Sequence, residues 1–291
     1  TEITVSSAVC GGEVVNDSGL VVTEYGLLWD TLQTFSYEKS LSKVNKGEGL
    51  GTFTHQVAEL LDGKTYRVKA YAKNEAGVSY GEEKTVNTVP ISVPTVTTAA
   101  ITNITTSSAE CGGEVKAENN AEVTVRGIVW GSTNNPTVEN NLGKTENGSG
   151  LGSFTGQLTN LQDGTTYFVR AYATNSKGTG YGTAIEFTTT GVSVPTVTTT
   201  AISNITTNSA QSGGNITADG NAEVTARGIV WGTTSNPTIE NNLGKTENGS
   251  GLGSFTSQLT SLQDGTTYYI RAYATNSKGT GYGTAIAFTK T

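Results

Sequence analysis

The side chains that could carry out acid–base chemistry here are carboxylates, because the sequence contains a single histidine, His55. A Ser-His-Asp relay needs a histidine beside its nucleophile, and a multi-histidine metal site needs several of them. His55 has Gly156 and Ser257 at the matching positions of two later, related stretches. We therefore interpret His55 as an ordinary strand residue.

Three carboxylates recur after 101 residues: Glu139, Glu146 and Asp163 return as Glu240, Glu247 and Asp264. A glycosidase needs two carboxylates roughly 5–10 Å apart in one cleft. These occur in both the second and the third copy on Gly- and Asn-rich turns, which indicates solvated loops. The 146–150 segment offers oxygens for Ca²⁺ but lacks the spacing of an EF-hand loop. We predict no catalytic residue, no metal site and no cofactor.

Two aromatic sets could form a binding surface. Trp29, Trp130 and Trp231 could stack on sugars, but each shares its strand face with an aliphatic residue two positions earlier, which favours a core position. The second set mixes aromatic residues with arginine, a composition typical of contact surfaces. We predict this binding set on one outer sheet face: Val125, Phe168, Arg170 and Tyr172, with Tyr269, Arg271 and Tyr273 in the next copy.

These residues are positioned by a repeat. The stretch 151–178 has a near copy at 252–279 and a diverged one at 50–77, and the three tryptophans lie 101 residues apart. Tyr66, Tyr167 and Tyr268 keep the same step. In 291 residues this predicts three domains, at 1–88, 89–190 and 191–291.

Alternating apolar residues in the second repeat predict strands and no helix. The predicted strands are 95–99, 108–115, 123–131, a short edge strand within 132–150, 153–158, 166–174 and, after a turn at 175–178, a last strand that ends at 185–188. Seven antiparallel strands in about 100 residues require two packed sheets. The fold class predicted is all-β: three tandem seven-stranded antiparallel β-sandwiches in a rod-like arrangement.

One strand indicates the topology. In 167–173, Tyr167, Val169, Ala171 and Ala173 share a face, and the small residues on it allow the opposing sheet to approach. The Tyr167 hydroxyl can reach a backbone group upstream, as in a tyrosine corner.

The run from Leu158 to Gly178, with Gly164, Tyr167 and Asn175 at fixed spacing, resembles the second half of fibronectin type III domains. The first half departs from that pattern, since Trp130 lies on the third strand and the second strand carries a small-residue run. The sequence is more similar to the fibronectin-like (immunoglobulin-like) repeats of bacterial secreted and cell-surface proteins. That resemblance implies an extracellular or cell-surface location.

Composition excludes other classes of partner. The net charge is −7, and no cluster of Lys and Arg could neutralise a row of phosphates, so nucleic acid is not expected. No apolar run approaches the roughly 20 residues that cross a bilayer. The chain has no Met, so we expect a piece of a longer exported protein. Cys10 and Cys111 are predicted to be free, buried thiols, because equivalent points of consecutive domains lie too far apart for a disulfide.

The first repeat starts late. Thr1 aligns with Thr102, so the strand matching 94–98 is missing. Either upstream residues supply it, or the edge is open to strand addition and self-association. The joints 89–98 and 188–199 are short and contain Pro, which predicts semi-rigid connections.

The sequence predicts a non-enzymatic spacer or adhesive stalk of a larger bacterial surface or secreted protein. A glycan or another surface protein is the partner expected on the outer face or on the long 132–150 connection. Two alternatives stay open: a carbohydrate-binding appendage of a secreted polysaccharide-degrading enzyme, and a subunit of an extracellular filament assembled by strand addition.

Overall fold

A computed structural model describes residues 2–290, and these contain strands and no helix. The strands form three units, each made of two antiparallel sheets. We refer to the units as the first, second and third sandwich. The predicted all-β class is confirmed.

The strands follow the chain in order. The first sandwich contains β1 (Ala8–Val14), β2 (Glu24–Asp30), β3 (Ser42–Gly47), β4 (Gly51–Val57), β5 (Thr65–Asn74), β6 (Gly77–Tyr80) and β7 (Lys84–Asn87). The second contains β8 (Thr95–Thr98), β9 (Ala109–Ala117), β10 (Val125–Gly131), β11 (Gly143–Lys144), β12 (Gly152–Leu158), β13 (Thr166–Asn175), β14 (Gly178–Tyr181) and β15 (Ile185–Thr188). The third contains β16 (Thr196–Ser203), β17 (Ala210–Ala218), β18 (Ala226–Gly232), β19 (Gly244–Lys245), β20 (Gly253–Leu259), β21 (Thr267–Asn276), β22 (Gly279–Tyr282) and β23 (Ile286–Thr289).

The second and third sandwiches have the same sheet order. In the second, β8, β9 and β12 form one sheet, and β11, β10, β13 and β14 form the other, with β15 also pairing with β13. Lettered along the chain, this is A-B-E against C′-C-F-G. The last strand, G, follows the turn at 175–178 and ends at Thr188 as predicted, but it is interrupted between β14 and β15.

The first sandwich lacks strand A within residues 2–290. Its smaller sheet contains only β1 and β4, whereas the larger sheet keeps the order β3-β2-β5-β6, with β7 on β5. The predicted absence of the first strand is confirmed for these residues.

The three tryptophans lie between the sheets, as predicted. Trp29, Trp130 and Trp231 are 8 %, 6 % and 7 % exposed, and each belongs to the core cluster of its own sandwich. The sheets approach closely beside them because small residues face each other: a Cβ added to Gly113 would overlap the Ala171 side chain. The small face predicted on β13 has this packing role.

Each sandwich has a tyrosine corner between strands E and F. The Tyr167 hydroxyl accepts a hydrogen bond from the Gln162 amide at 2.9 Å, and the Tyr66 hydroxyl accepts one from Leu61 at the same distance. Tyr268 makes the equivalent contact in the third sandwich. The tyrosine-corner prediction is confirmed.

Both cysteines are free thiols, but they differ in burial. Burial raises the pKa of the Cys111 thiol to about 11. Cys10 is only half-buried, so the prediction of two buried thiols is wrong for this residue. The reason is the missing strand A, which covers the equivalent position in the second sandwich.

Candidate functional site

The residues predicted to form the outer binding face do share one sheet surface. Phe168, Arg170 and Tyr172 alternate along β13, and Val125 lies on the neighbouring β10. However, Tyr172 is 2 % exposed, and its counterpart Tyr273 is 3 % exposed. Neither ring is accessible to a ligand, so this part of the prediction is wrong.

A loop covers these tyrosines. The connection between strands C and C′ folds back over the outer face. In the first sandwich it brings Phe35 into a small cluster with Leu28 and Tyr71, and the Tyr37 ring lies 5.1 Å from that of Tyr71. In the second sandwich the equivalent connection is formed by residues 132–142. The Val138 amide in it donates a hydrogen bond to the hydroxyl of Tyr181 in β14. In the first sandwich a second, smaller core therefore lies on this outer face.

The arginines of the outer face make internal contacts. Arg170 Nε donates to the Gly182 carbonyl at 2.8 Å, and its guanidinium lies 4.5 Å from the centre of the Tyr181 ring. Burial lowers the pKa of Arg170. Arg271 repeats both contacts in the third sandwich. Val125, Phe168 and Tyr269 are half-buried, and their role in binding stays a prediction.

The candidate catalytic groups are dispersed. The six recurring glutamates and aspartates are all exposed. His55 lies beside Trp29, with 6.3 Å between ring centres, and burial lowers the pKa of its imidazole. Across residues 2–290, no three His, Cys, Asp or Glu side chains come together in a way that could hold a metal ion.

The boundary between the first and second sandwiches is built from side chains of both. Asp62 lies in the turn before β5, and its Oδ2 accepts the Ile91 amide of the linker at 3.2 Å. The same oxygen pairs with Lys177 Nζ, in the turn after β13, at 3.1 Å. The hydrogen bond from Lys177, followed by that from Ile91, lowers the pKa of Asp62.

Asparagines of the second sandwich hold the linker from the other side. Asn120 Nδ2 donates to the Pro90 carbonyl at 3.0 Å, and Asn175 Nδ2 donates to the Ser92 carbonyl at 2.8 Å. The linker backbone is thus bound by both neighbours. We call Asp62, Ile91, Asn120, Asn175 and Lys177 the first joint.

The second joint repeats the first with residues 101 positions later. Asp163 accepts the Val192 amide at 3.1 Å and lies 3.7 Å from Lys278. Asn221 donates to the Gly191 carbonyl, and Asn276 donates to the Ser193 carbonyl. In the sequence, the turn at 163–164 explains Asp163 without any partner in the next sandwich. A signal was available, since each joint pairs an aspartate with a lysine 115 positions later.

An arginine orders the long loop before strand E. Arg126 packs over Phe154, with 5.4 Å from its guanidinium carbon to the ring centre. Its Nη1 also donates to the carbonyls of Leu151 and Gly152. Tyr25 packs on Phe53 at the matching place of the first sandwich. Arg126 therefore combines packing over an aromatic ring with hydrogen bonds to the loop.

Among residues 2–290, no helix is long and apolar enough to cross a membrane. No family model matches the chain, and no curated protein matches it. The chain aligns with the crystal structure of the FN1-FN3 domains of chicken CNTN1 over 100 % of its own length and 96 % of that chain, at 14 % identity and a TM-score of 0.28. The sheet order, rather than that alignment, makes these sandwiches fibronectin type III-like: A-B-E against C′-C-F-G in the second and third, and B-E against C′-C-F-G in the first.

Proposed function

We propose that this chain is a non-enzymatic, extracellular spacer or adhesive stalk of a larger bacterial surface or secreted protein, made of domains 1–88, 89–190 and 191–291. The observation that carries the proposal is the pair of equivalent joints. A flexible tether leaves its linker backbone to solvent, whereas both linkers here are bound on two sides.

Stiff joints give a chain of sandwiches a defined reach. At about 3.3 Å per strand residue, each sandwich is roughly 35 Å long, so three in line extend about 100 Å. Such a rod holds an attached domain away from a surface. It also presents weak contact faces repeatedly, which raises avidity without new contacts.

Small-angle X-ray scattering of the chain tests the proposal. We expect the pair-distance distribution of a rod, with a maximum dimension of about 100 Å, the length that follows from the rise per strand residue. A compact particle in which the three sandwiches lie side by side would contradict a spacer. Staining of intact cells with an antibody against the chain tests its location, and signal only after permeabilisation would contradict an extracellular role.

The half-buried aromatic residues of the outer face favour carbohydrate binding as a second candidate. A glycan array tests it with Phe168→Ala and not with Tyr172→Ala, because the buried Tyr172 would report on folding. Binding that Phe168→Ala abolishes would support an appendage of a polysaccharide-degrading enzyme. An array without signal would contradict the carbohydrate-binding candidate.

A further inference from the structure

The second sandwich has an open side at which strand E and strand C′ are the last strands of their sheets. Strand E, β12, pairs with β9 on one edge, and its other edge pairs with no strand within residues 2–290. It spans seven residues, whereas C′, β11, spans two. A free edge of this length is a template for pairing with another strand, which folded proteins usually block.

The backbone groups on the free edge of β12 belong to every second residue. A Cβ added to Gly112 of β9 would overlap the Phe154 carbonyl oxygen, so that oxygen points toward β9. Successive residues of an antiparallel strand direct their N–H and C=O groups to opposite edges. The groups of Ser153, Thr155 and Gln157 therefore face outward, and an added strand would bond to them.

A side chain occupies the middle carbonyl of that edge. Asn147 Nδ2 donates to the Thr155 carbonyl at 2.7 Å. Hydrogen bonds that begin in the other sheet orient this amide: the Ile128 amide donates to Thr145 Oγ1, and Thr145 Oγ1 donates to Asn147 Oδ1. A line of hydrogen bonds therefore joins strand C of one sheet to strand E of the other across the open side.

An arginine occupies the start of the same edge. Arg126 Nη1 donates to the carbonyl of Leu151, directly before β12, and to that of Gly152, its first residue. With Asn147 in place as well, the outward carbonyls that stay open are separated by ones already bonded. We call Arg126 and Asn147 the edge guard of the second sandwich.

The third sandwich has an equivalent edge guard on β20. Asn248 Nδ2 donates to the Thr256 carbonyl at 3.0 Å, and Arg227 Nη1 donates to the Leu252 carbonyl at 2.7 Å. Ser257 Oγ adds a hydrogen bond to Asn248 Oδ1 at 2.9 Å. The same side chains thus meet the same backbone groups of strand E in both sandwiches.

The first sandwich has different residues at these two positions, Lys46 and Tyr25. Lys46 lies near strand E, β4, since burial and then the charge of Lys46 lower the pKa of His55 in that strand. A lysine beside a free edge blocks strand addition in another way, because pairing would bury its charge. The position of Asn147 is therefore occupied in each sandwich by a side chain that opposes pairing.

We propose that the edge guards of the second and third sandwiches keep two copies of this chain from pairing through strand E. A second copy is the partner that they exclude, because it brings an identical edge, and two identical strands can pair antiparallel about a two-fold axis. The inference does not depend on the proposed spacer role, although rods that stay separate suit that role.

Asn147→Ala tests the proposal by opening the edge from Ser153 to Gln157. In the parent chain the outward amides of β12 should exchange hydrogen fast at every chain concentration. In Asn147→Ala they should exchange about tenfold more slowly at high than at low concentration, because an added strand protects them. Light scattering after size-exclusion chromatography should show a dimer over the same range of concentration.

Asn147→Lys is the matched control, because it loses the same hydrogen bonds but carries the residue of the first sandwich. It should stay monomeric, with fast exchange in β12. A general loss of stability would affect the alanine and lysine variants alike. Asn141→Ala is a second control, since Asn141 Nδ2 donates to the carbonyls of Thr137 and Val138 and not to strand E.

Three outcomes would overturn the proposal. Asn147→Ala could remain monomeric with unchanged exchange in β12, Asn147→Lys could pair as readily, or the parent chain could already show protection of β12 as its concentration rises. Protection of residues 153–157 in the alanine variant alone establishes the guard. If Asn147→Ala does not fold, Asn248→Ala and Asn248→Lys give the same comparison on β20.

Discussion

The Lys177 ammonium of the second sandwich lies 3.1 Å from the Asp62 carboxylate of the first, across the domain boundary. Asp62 also accepts the Ile91 amide, so one carboxylate binds both the linker and the neighbouring sandwich. Because it has two partners, loss of its charge should loosen the boundary without touching either core.

Asp62→Asn should broaden the distribution of distances between spin labels placed in the first and second sandwiches. The asparagine keeps the shape of the side chain but loses the ion pair with Lys177. Double electron–electron resonance spectroscopy measures this distribution of distances between the two spin labels. Asp264→Asn is the matched control, since Asp264 pairs with Lys290 inside the third sandwich. Equal distributions for Asp62→Asn and the parent would show that the ion pair does not order the joint.

The first joint should weaken in acid. The pKa of Asp62 is lowered in the joined state, so that state binds fewer protons than a separated one. The joint is therefore favoured above the ordinary aspartate pKa of about 3.9 and loses this contribution as pH falls through the lowered value. The same distance measurement between pH 7 and 3 should broaden toward the acid end. In Asp62→Asn this change should disappear, and persistence of it would point to other groups.

Tyr268→Phe should weaken the corner of the third sandwich. Its hydroxyl accepts the Gln263 amide at 3.0 Å, and loss of such an acceptor costs about 1 kcal/mol. Hydrogen exchange at Gln263 should become roughly fivefold faster, as that free energy implies. Tyr269→Phe is the control, because Phe168 already stands at that position in the second sandwich. Equal exchange in both variants would contradict a role for the corner.

Arg126 should be replaceable in part by tyrosine. Arg126→Tyr keeps the packing on Phe154, as Tyr25 packs in the first sandwich, but loses the bonds to loop carbonyls. Arg126→Ala loses both. We expect hydrogen exchange of the loop 145–152 to rise in the order parent, tyrosine variant, alanine variant. If the tyrosine variant exchanges as fast as the alanine variant, the hydrogen bonds alone order the loop.

The strands and the core were predictable from the sequence because their signal is local. Alternation along 166–174 gives the two faces of β13. The 101-residue step shows that Trp130 has an equivalent tryptophan in each of the other two sandwiches. The strand bounds predicted for the second sandwich differ from those observed by no more than two residues.

The contacts that the sequence did not reveal depend on how loops fold back. Alternation places Tyr172 on an outer face, but whether that face meets solvent depends on the path of residues 132–142. The half-burial of Cys10 follows from a strand that is absent beside it, and the role of Asp163 follows from a lysine in the next sandwich. Each of these contacts joins residues that are far apart in the sequence, so only the tertiary structure reveals it.

Both members of the ion pair at each joint, an aspartate before strand F and a lysine after it, belong to the body of a sandwich and not to the linker. Duplicating one whole unit in tandem therefore also duplicates the aspartate and the lysine, in the positions from which the aspartate of one sandwich pairs with the lysine of the next. Such a protein can lengthen by duplication without evolving a new interface, because every added unit already carries the residues that form an ion pair with the preceding unit.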